Sequence, residues 1–107
     1  MEVRLLFVPP GGGETAYSLD IDLPSSPQRG DYVSVWSPEH SGTADFIVRR
    51  TRWYLEQPEG SNRGTVNRIS VEAEYARGPN SSEEHLHAYR KYHAQTGEER
   101  RFEESAY

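Results

Sequence analysis

Tyr17, Leu19, Ile21 and Leu23 alternate without a break with Ser18, Asp20 and Asp22, and Ile69, Val71, Ala73 and Tyr75 repeat the pattern against Ser70, Glu72 and Glu74. Successive side chains of a strand point to opposite faces, so a strict period of two calls for strands with one buried and one solvated side. Other stretches fit the same scheme less regularly. Val3 to Val8 is an apolar run of strand length, read as a largely buried first strand, which Pro9 and Pro10 stop by withholding two backbone donors. Tyr32 to Trp36 places Val33 and Val35 on one face. Thr43 to Glu56 is the longest run, and its apolar residues change parity from Phe46 and Val48 to Trp53 and Leu55. A parity change requires a bulge or a strong bend, expected near Arg49 and Arg50. The fifth strand is expected over Thr65 to Ala76.

The breaks are as legible as the strands. Gly11 to Glu14 form a flexible hairpin connection, Leu23 to Asp31 an ordered crossover, and Ser37 to Gly42 a reversal. Gln57 to Gly64 has no large apolar residue and reads as an exposed loop. Past Gly78 and Pro79, Ser81 and Glu84 stand at capping-box spacing, and Leu86, Tyr89 and His93 recur at helical spacing. A helix over about 82–95, stopped by Gly97, follows. The result is a mainly β domain with one C-terminal helix (α+β): a five-stranded antiparallel, SH3-like half-open barrel with the helix over its open end. An OB-type barrel fits less well, because that fold usually inserts its helix between the third and fourth strands.

With 107 residues, only 34% of them hydrophobic, the chain supports one small domain, assigned to 1–97, and no large cavity for a bulky cofactor. Residues 98–107, EERRFEESAY, are mostly charged and are expected to be a flexible tail or to dock on a partner. The lack of cysteine removes disulfides, thiolate nucleophiles and Cys-type zinc sites. The six-residue apolar run at the N-terminus is too short for a signal-peptide core or a membrane span, so a cytoplasmic location and no membrane partner are expected. A formal charge of -5 repels nucleic acid as a whole.

Local features carry what chemistry there is. Arg49, Arg50, Arg52, Trp53 and Tyr54 interleave basic heads with aromatic rings, a pattern able to stack bases and neutralise phosphates. The competing reading, which is favoured, pairs these arginines with Glu72 and Glu74 on the next strand and with Glu56. Pro9 to Gly13 has the composition of a phosphate-cradling loop but neither the lysine nor the following helix of one, and is read as a hairpin loop. His85 and His87 are two apart on a helix and cannot grip one metal together. Glu84 and His87 are three apart, and are read as ordinary polar residues rather than a metal site. Asp20 with Asp22 and Glu72 with Glu74 are same-face carboxylate pairs, in which one acid could have a raised pKa. Solvated outer faces look the same. No nucleophile elbow, metal cage or matched acid and base is present, and no cofactor is implied.

The stretch LPSSPQRGDYVSV, with FIVRRTRW and ISVEAEYA after it, resembles small uncharacterised bacterial β-barrel proteins in which a Leu-Pro-x-x-Pro-x-x-Gly-Asp turn introduces a strand. The resemblance covers residues 19–76 and implies a compact barrel without an assigned activity. Twelve aromatic residues exceed what five short strands need inside. Trp36, Tyr54, Tyr89, Tyr92, Phe102 and Tyr107 are therefore expected at least partly outside, and aromatics and arginine are the types enriched at interfaces. The candidate contact surface is Trp36, Arg49, Arg50, Arg52, Trp53, Tyr54, Tyr89, Tyr92 and Phe102. The leading expectation is a non-catalytic protein-interaction module that binds a protein partner or itself. Nucleic-acid binding through the fourth strand and an acidic inhibitor or immunity-type role are the alternatives.

Overall fold

The structure, a computed structural model, describes residues 1–103. Five strands and one helix follow in the order β1 (Glu2–Val8), β2 (Tyr17–Asp22), β3 (Tyr32–Trp36), β4 (Thr43–Glu56), β5 (Thr65–Tyr75) and α1 (Glu83–Thr96). They form one curled, half-barrel sheet in the order β2-β1-β5-β4-β3. The sheet is mixed, which corrects the antiparallel expectation. β1 runs parallel to β5, with Leu5 opposite Val71 and Phe7 opposite Ala73. The other three pairings are antiparallel.

Register explains the core. Val3, Leu5 and Phe7 of β1, Phe46 and Val48 of β4, and Ile69, Val71, Ala73 and Tyr75 of β5 are all buried on the inner face. The helix adds Tyr89, with Ala88 and Tyr92 packed beside it. β4 keeps this face across its length because the register shifts between Val48 and Arg50, so Arg50 pairs with Glu72 and Trp53 lies opposite Ile69. The bulge falls where the parity change in the sequence required it. At about 3.3 Å per residue, the 14 residues of β4 span about 46 Å; the whole molecule's longest dimension is 52 Å. The far ends of β4 and β5 extend beyond β1 and β3 as a two-stranded arm, where Trp53, Leu55 and Val66 are exposed.

The helix is capped one residue later than the capping-box spacing suggested. Ser82, not Ser81, accepts the His85 N–H, and Gly97, in the left-handed region, donates its N–H to the His93 carbonyl. Ser81 is used elsewhere: its hydroxyl donates to Asp45 and accepts from the Gly78 N–H. Beyond the helix, part of the segment expected as a flexible tail lies against the domain. The Arg77 N–H donates to the Arg100 carbonyl and the Phe102 N–H to the Arg77 carbonyl. The Phe102 ring is buried and stacks on Tyr32 at 4.2 Å between centroids. Residues 104–107, including Tyr107, lie outside the described residues.

Candidate functional site

The curled sheet does not close. β2 and β3 are its outermost strands, and no pairing joins them among the described residues. An open groove of about 650 Å³ runs between them. Leu5, Leu19, Ile21 and Leu23 line one side, and the crossover 24–27 contributes a second border. The opposite side is β3, all of whose residues line the groove, so its unpaired backbone edge faces the opening along with Val33 and Val35. Inner-face residues that would be core in a closed barrel are left partly open here. Leu19 is exposed there, while on the other face of β3 Tyr32, opposite Ile47, and Trp36, at the strand's end, are exposed as well, Trp36 by 68%. Asp31 is the only charged residue in the lining.

The outer face has a different chemistry. Glu72 accepts from Arg49 Nη1 at 3.1 Å and from Arg50 Nε at 2.9 Å. Arg52 and Arg68 both lie over the Tyr54 ring, with guanidinium carbons 4.6 and 4.3 Å from its centroid. Each such contact contributes about 0.5–1 kcal/mol at an exposed site. Arg49 and Arg50 thus adopt the cross-strand pairing favoured from the sequence. The rest of that pairing differs: Glu74 bonds Arg100, and Glu56 accepts from Asn67. Trp53 opposes Ile69 on the inner face, whereas Arg50, Arg52 and Tyr54 oppose Glu72, Ser70 and Arg68 on the outer one. The basic and aromatic residues of this run therefore do not make one continuous stacking surface.

The remaining candidates separate by burial. Tyr92 is half-buried against Tyr75, 5.0 Å between centroids. Tyr89 and Phe102, expected on the contact surface, are buried instead. Leu86, Tyr89 and His93 recur at helical spacing, the signal that could have placed Tyr89 inward. The burial of Phe102 depends on a return of the chain that no local pattern announces.

The acid and base candidates are committed to structural partners. Asp20 is bound by Arg4, whose hydrogen bond and charge hold its carboxyl below the usual range, the reverse of what an acid catalyst needs. Asp22 pairs with the N-terminal ammonium at 2.7 Å. His85 is buried, stacked on Tyr75, with Nε2 2.7 Å from the Ala76 carbonyl oxygen; burial pushes its pKa down. Burial likewise raises the Tyr75 hydroxyl, which stays protonated. His40 Nδ1 lies 3.4 Å from a Glu84 carboxylate oxygen. Among the described residues no group of three or more His, Asp or Glu side chains is placed to hold a metal ion. None of their helices is long and apolar enough to cross a membrane.

Two features escaped the sequence reading. Leu19, Ile21, Val33 and Val35 were legible as inward-facing, but alternation does not say which inward residues a neighbouring strand will cover. Asp45, inside the apolar run Ala44 to Val48, is buried and accepts hydroxyl hydrogen bonds from Ser34, Thr43 and Ser81. An acid flanked by apolar residues with hydroxyls on its neighbouring strand was the available signal. Comparison of the chain with protein-family models, curated proteins and solved structures produced no match.

Proposed function

We propose that this protein is a non-catalytic interaction module whose working part is the open seam between β2 and β3, and that it takes an extended segment of another polypeptide there. The observation that carries the reading is the groove itself: two unpaired strand edges flank an apolar lining that includes Leu19, Val33 and Val35, with Trp36 exposed at its end. Unpaired edges present rows of backbone donors and acceptors, and apolar surface left open beside them is what an added strand covers. In this reading the fold is an SH3-like half-open barrel completed by its partner, in the cytoplasm. The partner is either a second copy or a different protein.

Nucleic-acid binding through the fourth strand is less well supported, because Trp53 faces away from Arg50 and Arg52 and Glu72 already occupies Arg49 and Arg50. Two measurements test the proposal. Sedimentation from micromolar to millimolar protein reads self-association. A photoreactive amino acid at position 36, compared with one at Arg90 on the exposed side of α1, reads contact with any partner in cells. The proposal expects a concentration-dependent dimer lost in Val35→Glu, or adducts at position 36 in clear excess over position 90. A monomer throughout, with equal adducts at both positions, removes it.

A further inference from the structure

On the outer face, away from the seam, Arg29, Arg49, Arg50 and Arg100 surround a recess of about 500 Å³ together with Glu74 and the apolar Ile47. Their charges do not balance. Glu72 serves Arg49 and Arg50 at once, and Glu74 and the more exposed Glu98 both serve Arg100. Arg29 makes no hydrogen bond or ion pair among the described residues. Four guanidiniums against three carboxylates leave one positive charge in excess, or two when Glu98, on the open side, is not counted. Gathering like charges costs Coulomb energy, and here it occurs on a chain whose overall charge is -5. Each guanidinium offers five N–H donors, of which the carboxylates use only a few.

The glycine run that the fold alone leaves unexplained borders this cluster. Gly11, with φ 87°, donates its N–H to Glu74 at 2.7 Å. A Cβ on Gly12 would stand 3.0 Å from the Arg49 guanidinium carbon, so the loop backbone lies directly on that side chain. Pro9 and Pro10 stiffen the approach, and the glycines allow it. The loop thereby holds one arginine and one carboxylate of the cluster in place. This gives the recess a fixed wall as well as a positive charge.

We propose that this recess binds the phosphate group of a small molecule, with Arg29, Arg49, Arg50 and Arg100 as its donors. Planar guanidinium forks match phosphate oxygens in pairs, and a dianion offsets an excess of one to two positive charges. The volume lies within the usual range of small-molecule sites and exceeds what a lone phosphate needs, leaving Ile47 to meet an organic group. A long polyanion is a poorer fit, since beyond the recess the molecule's net charge opposes it.

Amide NMR shifts of Gly11, Gly12 and Gly30 in the full chain, titrated with inorganic phosphate and with phenyl phosphate at constant ionic strength, test the site. Saturable shifts are expected, about tenfold weaker in Arg29→Ala, corresponding to the loss of one charge-assisted contact. Arg29 has no partner among the described residues, so this variant keeps its thermal midpoint in phosphate-free buffer. Tighter binding of phenyl phosphate supports an organic ester as the ligand, and equal binding supports the free anion. Shifts no different from those in sodium chloride, or unchanged affinity in Arg29→Ala, overturn the proposal. So does tighter, Arg29-dependent binding of a thymidine oligonucleotide, which assigns the face to nucleic acid instead.

Discussion

Asp45 shows how one side chain can join separated parts of the chain. Its buried carboxylate gathers hydroxyls from β3, from the start of β4 and from the segment before the helix, while its backbone carbonyl accepts the Ala76 N–H. Replacing it by alanine strands those donors in a tight site, and the expected loss is about 3 kcal/mol of unfolding free energy in a urea titration. His85, packed beneath it, sets a pH dependence. Burial lowers its pKa below the ordinary 6.5, so the unfolded chain binds the proton more readily than the folded one. Stability is therefore full above about pH 7 and declines as the pH falls from the unfolded value toward the depressed folded one. The slope contributed by this residue is at most about 1.4 kcal/mol per pH unit. Urea midpoints of the wild type and His85→Gln at about pH 7.5 and pH 5.5 check this, with the variant expected to show the smaller drop. A burial-driven shift of this kind was not readable from the sequence, where four histidines look alike and only packing distinguishes them.

At the scale of elements, what was legible followed from local rules, and what was hidden followed from neighbours distant in the chain. The bulge near Arg49, the loop 57–64 and the helix stop at Gly97 each depend on residues a few positions apart. The parallel pairing of β1 with β5 joins positions more than sixty residues apart, and alternation specifies faces, not neighbours. The same limit concealed the seam: Val33 and Leu19 read as inward, yet whether a strand covers them is a matter of sheet order. Gly42 is another distant contact. It has φ 101°, and a Cβ there would stand 2.6 Å from the Asn80 carbonyl oxygen, where the β3–β4 turn meets the entrance to α1. Gly42→Ala should therefore cost about 2 kcal/mol or more, from both the disfavoured backbone and the collision. Ser82→Ala, which removes only the helix cap, should cost about 1 kcal/mol. Thermal midpoints of the two variants should rank in that order, and the reverse ranking would show that the turn relaxes freely.

Across the whole molecule, the chain's last described segment completes a structure that the five strands leave unfinished. Arg100 reaches the buried Glu74 carboxylate at 3.2 Å and its N–H donates to the Tyr89 hydroxyl, so helix, sheet and C-terminal segment meet there. Phe102 then covers Tyr32, whose hydroxyl accepts the Glu103 N–H. Composition made 98–107 look unable to order itself alone; the apolar surface that secures 98–103 belongs to other elements. Ending the chain after Gly97 exposes Tyr32, removes one aromatic from a buried place and leaves Glu74 with the Gly11 N–H but without its guanidinium. The loss should be about 3–5 kcal/mol, the scale of a Phe→Ala change in a core, and Phe102→Ala alone should account for much of it. Truncation uncovers Tyr32 on the outer face of β3, but Leu19, Val33 and Val35 keep the seam's apolar lining on the inner face, so dimer formation or crosslinking at position 36 should survive at temperatures where the truncated domain is folded. The arginine recess loses Arg100 and should bind phosphate more weakly. A truncated chain as stable as the full one would show that the C-terminal segment rests on the domain without supporting it.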